Sequence, residues 1–257
     1  AAFNSMQDLG LPTTMSAGTY ATTEPIIFKV DSRAIGGRVV FDLDSLSAGA
    51  IGGFSEVEAD IVGFDFDGTN TTTMQSGFYQ DLGFTPTRRL ELDVLAINIT
   101  NTVNTFPAHG CIMVLGSLAA NTTVKVKAKL EGHNILATAN ATIGDVAGSS
   151  RGVGVSINKA AVTVDMILDN PRASKIYPGE DGDGIGLFDV DLNNADSLSS
   201  YSVINPYSSD CAKRGFKVQA QNCTVDDLFV DLDLNNGTDG CTLAFETLAL
   251  NTTLNDP

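Results

Sequence analysis

Pairs of aspartates separated by one apolar residue recur along the chain, and they are the residues best suited to chemistry. They lie in the segments 41–44, 64–67, 188–191 and 230–233. On a β-strand, residues i and i+2 share a face, so each pair projects two carboxylates to the same side. A cation held between neighbouring strands would turn the repulsion within such a pair into attraction. The pattern therefore predicts a scaffold that binds cations.

The third pair follows the sequence Gly-Glu-Asp-Gly-Asp-Gly-Ile-Gly at 179–186, which resembles calcium loops of the thrombospondin type 3 and EF-hand kinds. Asp181 and Asp183 would take the third and fifth positions of such a loop, whereas Gly179 and Val190 would replace its two end ligands. Ca²⁺ binds about six to eight oxygen atoms, and neighbouring side chains could complete that set. The alternative is a glycine-rich acidic turn without a metal. The predicted Ca²⁺ ligands are Asp181, Asp183, Asp189, Asp191, Asn193 and Asp196.

Motifs that would indicate an enzyme are missing or incomplete. The only histidines, His109 and His133, follow turn-forming residues and are predicted to be exposed loop residues. Glu91 and Asp93 open a motif similar to that of laminarinase-type glycosidases, but its second glutamate is absent. We therefore predict that the chain is not an enzyme, and a degenerate glycoside hydrolase is the third interpretation.

Four cysteines in a chain predicted to be exported favour two disulfides over a zinc site, because their spacings are wide and no Cys-X-X-Cys occurs. Three pairings are possible. A Cys211–Cys223 bond would close a short loop and would leave Cys111 to pair with Cys241.

Seven Asn-X-Thr sequons indicate N-glycosylation at several positions. About two would be expected by chance, although asparagine and threonine also cluster in turns for structural reasons. Glycans require exposed positions, so these sites are predicted on loops and outer strand faces. The sequons begin at Asn70, Asn98, Asn121, Asn140, Asn222, Asn236 and Asn251.

The composition limits location and partners. A formal net charge of −16 opposes binding to nucleic acid and to anionic membranes. The chain has no apolar run long enough to span a membrane, and its start at Ala1-Ala2-Phe3 is what a signal peptidase could leave. We predict a secreted protein located outside the cell or at the cell surface.

Short strand-like runs separated by Gly, Asn, Asp and Pro clusters recur along the sequence. In the run 123–130 the apolar residues Val124, Val126, Ala128 and Leu130 alternate with Thr123 and three lysines. This period of two predicts half-buried strands. We predict an all-β fold, an antiparallel β-sandwich of jelly-roll type over residues 25–257. Residues 1–24 lack this succession of strand-like runs and turn residues, and they are predicted to be an N-terminal extension.

Three short segments resemble the start of TasA/camelysin-type extracellular fibre subunits. They are Ala2-Phe3-Asn4-Ser5, followed by Ser16-Ala17-Gly18-Thr19, and the strand and turn at 40–47. The resemblance implies a jelly-roll subunit whose N-terminal segment inserts as a strand into the next subunit. A donated strand satisfies an open sheet edge. The predicted plug residues are Phe3, Met6, Leu9 and Leu11; a plain strand of the same subunit is the alternative.

These features together predict an extracellular structural subunit that assembles with copies of itself into a filament, tube or surface layer. It is predicted to be glycosylated and stabilised by Ca²⁺. The second interpretation is a secreted adhesin or a Ca²⁺-dependent carbohydrate-binding module, whose partners would be glycans or cell-surface components.

Overall fold

A computed structural model describes most of the chain. The described residues are 2–46, 50–69, 74–84, 86–101, 108–115, 122–137, 150–157, 162–177, 182–189, 199–231, 241–245 and 252–255.

One short helix precedes a long succession of strands. The helix is α1 (Ala2–Asp8). The strands are β1 (Thr13–Ala21), β2 (Ile26–Phe28), β3 (Ser32–Asp42), β4 (Ala50–Ser55), β5 (Ile61–Asp67), β6 (Met74–Asp81), β7 (Arg89–Asn101), β8 (Ala108–Leu115), β9 (Thr122–Ala137), β10 (Ser150–Ile157), β11 (Val162–Asp169), β12 (Arg172–Tyr177), β13 (Gly182–Asp189), β14 (Ser200–Ile204), β15 (Tyr207–Cys211), β16 (Arg214–Gln219), β17 (Cys223–Asp226), β18 (Phe229–Asp231), β19 (Cys241–Phe245) and β20 (Thr253–Asn255).

The chain winds back and forth between two sheets. The first sheet has the order β1-β3-β5-β7-β9-β11-β14-β17-β20, with β12, β15 and β18 beside its later strands, and the second has the order β2-β4-β6-β8-β10-β13-β16-β19. Every strand pairing among the described residues is parallel, as in β1 with β3 and β10 with β13. One circuit of the chain through both sheets is called a coil. Each coil therefore stacks on the previous one, which makes the fold a solenoid like a parallel β-helix.

The predicted antiparallel sandwich is wrong. A strand of this protein pairs with a strand two or three places further along the sequence, as β5 does with β7 and β10 does with β13, and not with its immediate neighbour. The turn signals between successive runs mark corners at which the chain crosses to the other sheet, where the sandwich prediction required hairpins.

The space between the two sheets forms one apolar core. At the N-terminal end phenylalanines fill it, with ring centroids 5.2 to 6.3 Å apart, and aliphatic side chains fill the later coils. Val124, Val126, Ala128 and Leu130 are all at most 1% exposed, so the alternation predicted for β9 is confirmed. The aromatic residues are Phe3, Phe28, Phe41, Phe64, Phe66 and Phe78.

Asparagines stack at a corner of the first sheet and hold successive coils in register. Asn98 and Asn134 both have left-handed φ values, 58° and 54°. The side-chain amide of Asn134 donates to Oδ1 of Asn98 (2.8 Å), and that of Asn98 donates to Oδ1 of Asp67 (2.8 Å). Asparagine tolerates this backbone conformation better than most residues, which explains its recurrence at the corner.

Candidate functional site

The N-terminal end of the solenoid is closed by α1. Phe3 packs edge-on against Phe28 and Phe41 (5.3 and 5.6 Å between ring centroids). Gln7 is buried, and its amide nitrogen donates to Oγ of Ser32 (3.0 Å) while its oxygen accepts from the backbone N–H of Lys29 (2.8 Å). The helix therefore caps the core and leaves none of these buried polar atoms unsatisfied.

Beside this cap lies an open sheet edge with apolar side chains around it. Strand β1 pairs with β3 on one side, and no described strand covers its other side. Leu9 and Leu11 are 73% and 65% exposed. A cavity of about 350 Å³ opens between α1 and β1, with Phe3, Met6 and Tyr20 in its wall. An uncovered parallel edge next to apolar surface is a template for a further strand.

The opposite end is also open within the described part of the chain. There β20 pairs only with β17, and β18 pairs only with β15. Phe229 of β18 stacks on Tyr207 of β15 (5.2 Å, interplanar angle 2°) and is 54% exposed. Because every pairing is parallel, the strands at both ends run in the same direction. The end of one copy therefore has the strand polarity needed to continue onto the start of another.

The predicted assembly residues lie at the N-terminal end of the solenoid. Phe3 is buried in its own core, whereas Met6, Leu9 and Leu11 lie exposed at the N-terminal end. The segment 13–21 of the predicted extension is β1, which aligns eight residues with β3 of the same chain. The monomer thus uses this segment to begin its own sheet.

Of the predicted calcium ligands, only Asp183 has a described side chain. It is fully buried on β13, and its Oδ1 accepts from Nε of Arg214 (2.6 Å). Burial raises the pKa of this carboxyl group, and the neighbouring Arg214 opposes that shift. The backbone of Asp189 ends β13; Asp181, Asp191, Asn193 and Asp196 lie outside the described residues.

No group of three or more His, Cys, Asp or Glu side chains in the described ranges is placed to hold a metal ion. Asp183 is engaged by a guanidinium group, so the Ca²⁺ prediction rests on Asp181, which precedes β13, on Asp189 at its end, and on the residues that follow it.

The described cysteines are free thiols buried in the core. These are Cys111, Cys211 and Cys223. The Cys211–Cys223 bond is not formed. Cys223 of β17 is aligned with Tyr201 of β14 in the ladder, whereas Cys211 is the last residue of β15. Burial raises the pKa of the Cys211 and Cys223 thiols to about 12, which keeps them protonated. Cys111 is likewise a free thiol, and the side chain of its predicted partner, Cys241, lies outside the described residues.

Two of the sequon asparagines have described side chains, and both are used by the fold. Nδ2 of Asn98 donates to Asp67 and to Oγ1 of Thr69 (3.1 Å), and Nδ2 of Asn222 donates to the carbonyl of Ser199 (3.1 Å). The remaining sequons, at Asn70, Asn121, Asn140, Asn236 and Asn251, lie outside the described residues.

We expect Asn98 to remain unmodified in a host that glycosylates the chain. Both hydrogens of its amide are donated within the corner ladder, and a glycan would replace one of them. Glycopeptide mass spectrometry should find residue 98 bare. Replacement of Thr100 by alanine, which removes the sequon and keeps the asparagine, should leave the mass of the glycans unchanged. A glycan found at Asn98 would contradict this prediction.

A polar cluster on the outer face of the first sheet was not predicted from the sequence. Parallel register places His133 of β9 beside Ser174 of β12. Nδ1 of His133 lies 2.8 Å from Oγ of Ser174, and its Nε2 lies 3.5 Å from Oε2 of Glu131. The prediction of an exposed loop histidine is therefore wrong: His133 is half-buried and lies within a strand. His109, also predicted in a loop, lies in β8.

The carboxylate of this cluster is held in its charged form. Hydrogen bonding from His133, with Lys129 3.2 Å away, lowers the pKa of Glu131 to about 2. Because Ser174 is 41 residues from His133 in sequence, only the stacking of coils could reveal the cluster.

Comparison with known protein families, with curated proteins and with solved structures finds no match to this chain. In the described residues no helix is long and apolar enough to cross a membrane.

Proposed function

We propose that this protein is an extracellular structural subunit that assembles end to end with copies of itself into a filament. The observation that supports this most directly is the open edge of β1 beside exposed Leu9 and Leu11 and the apolar cavity. Solenoid proteins that stay monomeric need terminal repeats with a polar outer surface. The N-terminal end of this chain instead exposes Leu9 and Leu11 beside its cap helix.

The proposed contact joins the C-terminal end of one copy to the N-terminal end of the next. Strand β20 would continue onto β1 of the neighbouring copy in the parallel sense that every coil already uses. The two surfaces differ, so the contact is heterologous, and a heterologous contact that does not close into a ring propagates as a fibre. Donation of the N-terminal segment is not part of this proposal, because β1 belongs to its own sheet.

Secretion, N-glycosylation at the sequons other than Asn98 and Asn222, and stabilisation by Ca²⁺ remain parts of the proposal. The net charge of −16 keeps individual subunits soluble and repels nucleic acid. Attraction between copies must then come from apolar and main-chain contacts at the ends, since like-charged sides repel each other.

A lysine on the edge strand should block assembly. We expect Thr19→Lys, on the exposed face of β1, to prevent filaments in negative-stain microscopy, because a lysine at an edge opposes pairing with a further strand. The matched control is Thr163→Lys, the same change at a partly exposed position of the interior strand β11, which should leave assembly intact.

Polymers that form equally with both variants would rule out the β1 edge as the contact. A protein that stays monomeric at all concentrations and Ca²⁺ levels would instead contradict the proposed function itself.

A secreted adhesin or Ca²⁺-dependent carbohydrate-binding module is the second candidate. The exposed column formed by Arg172, Tyr207 and Phe229 favours it, since the guanidinium carbon of Arg172 lies 5.6 Å from the centre of the Tyr207 ring and Phe229 stacks on the other side. Monodisperse particles that bind glycans would support this alternative.

A further inference from the structure

Three polar side chains on the outer face of the first sheet have the relationship of nucleophile, general base and positioning group. Ser174 Oγ lies 2.8 Å from Nδ1 of His133, and Glu131 lies on the far side of the imidazole. We propose that they form a site that hydrolyses carboxylic esters, with Ser174 as nucleophile and His133 as general base. The proposal does not depend on end-to-end assembly.

The two hydrogen bonds of the imidazole fix its tautomer. Glu131 accepts only, because its lowered pKa keeps it ionised, so the proton of neutral His133 belongs on Nε2. Nδ1 is then the free acceptor and takes the hydrogen bond from the hydroxyl of Ser174. This is the arrangement in which a base can remove the proton of a serine. Glu131 acts as a positioning residue and stabilises the imidazolium that forms.

The strands hold these groups in place. Glu131 and His133 alternate with buried Gly132 on β9, and the ladder aligns them with Arg172 and Ser174 of β12. Neighbouring strands lie about 4.8 Å apart, which suits a hydrogen bond between adjacent side chains. The side chains of His133 and Glu131 are 25% and 20% exposed, so the cluster is held by packing yet open to a ligand.

A positive charge lies on the strand that carries Ser174. Arg172 is two residues before Ser174 on the same strand face, is exposed, and makes no ion pair in the part of the chain that the structure describes. Its guanidinium group can donate to the oxygen of a tetrahedral intermediate. Tyr207, aligned with Arg172 on β15, places its aromatic ring under that guanidinium group. The ligand class is a carboxylic ester.

The reaction balances with water as its only co-reactant. Ser174 Oγ attacks the carbonyl carbon while its proton passes to Nδ1 of His133, and Arg172 stabilises the oxyanion. Collapse breaks the bond to the leaving alcohol, which takes the proton from His133. Water then attacks the acyl-serine, giving its proton to Nδ1, and the acid is released as Oγ recovers that proton.

A fluorophosphonate probe tests the nucleophile directly, since it bonds to an activated serine with loss of fluoride. The full-length protein should acquire one adduct, placed at Ser174 by peptide mass spectrometry. Labelling should disappear in Ser174→Ala and slow at least tenfold in His133→Phe. Ser209→Ala is the matched control: Ser209 is the neighbour of Ser174 on β15, and its loss should leave labelling unchanged. Circular dichroism verifies the fold of each variant.

Hydrolysis of p-nitrophenyl acetate provides a second readout. Because an exposed imidazole alone reacts with this ester, the decisive comparison is Ser174→Ala, which keeps His133 and should lower the initial rate at least tenfold. Glu131→Gln should shift the pH profile of labelling, and Glu131→Asp should restore it in part. No adduct at Ser174, or labelling that is unaffected by His133→Phe in a folded variant, would overturn the proposal and support the prediction that the chain is not an enzyme.

Discussion

Gly132→Ala is expected to destabilise the protein by at least ~3 kcal/mol or to prevent it from folding. A Cβ atom at residue 132 would lie 2.1 Å from the carbonyl oxygen of Gly152 and 2.7 Å from its Cα. These are backbone atoms of β10 in the opposite sheet, so no rotation of a side chain can relieve the clash. The two sheets touch backbone to backbone at this point, and only glycine fits.

Gly154→Ala is the matched control, because Gly154 lies on β10, the strand that carries Gly152. Its Cβ would lie 2.7 Å from Cδ1 of Ile112, the end of a flexible side chain. That contact can be relieved by a change of rotamer, so the expected cost is below ~1.5 kcal/mol. Chemical denaturation of both variants measures the difference. Equal unfolding midpoints would show that the sheets do not approach each other as closely as the structure places them.

The close approach at Gly132 also matters for the polar cluster. Gly132 lies between Glu131 and His133 on β9, so the contact that fixes this strand also fixes the two groups that flank it. Gly110 of β8 approaches the same carbonyl of Gly152, at 2.3 Å for a Cβ placed there. A change at either glycine is therefore expected to disturb the cluster as well as the stability.

The sequence identified strands but not their partners. The alternation over 123–130 requires one buried face, and that face is buried in any sheet with one side against a core. Parallel and antiparallel sheets share this period of two, so the pattern does not distinguish them. One sign of the solenoid was present in the sequence. Phe41-Asp42 aligns with Phe66-Asp67 in the ladder, so two of the recurring aspartate segments lie side by side in successive coils, offset by two residues.

The polar cluster could not have been predicted from spacing. Glu131 and His133 are two residues apart on one strand, which places them on one face, but Ser174 and Arg172 join them only through the register of β9 with β12. That register depends on the length of each coil, which varies along the chain: Leu92 aligns with Ala128, and Ala128 with Leu168. A fixed sequence repeat is therefore absent, and the pairing is visible only in three dimensions.

Acid is expected to destabilise the fold through His109. This residue lies on β8 between Ser76 of β6 and Arg151 of β10, and its Nδ1 is a buried atom without a hydrogen-bond partner among the described residues. Burial, with a contribution from the charge of Arg151, lowers the pKa of His109 from 6.5 to about 3. The unfolded chain therefore binds a proton near pH 6.5, while the folded chain resists it until about pH 3.

The sign of the effect follows from that difference. The stability associated with neutral His109 is fully present above pH 6.5 and is lost as the pH falls towards 3. The expected loss is about 2 kcal/mol by pH 5 and about 4 kcal/mol by pH 3.5. Below about pH 4.5, protonation of Glu131, whose pKa is about 2 in the fold, adds a second loss in the same direction.

The variant His109→Gln separates the two contributions, because glutamine is polar, neutral and unable to titrate. Urea denaturation from pH 7 to pH 3.5 should show the stability of the variant, relative to the parent, rising steadily as the pH falls below 6.5. The Glu131 contribution, below about pH 4.5, should remain in its curve. Parallel curves for parent and variant across this range would mean that the folded protein protonates His109 as readily as the unfolded chain does, and that β8 is accessible to water at this position.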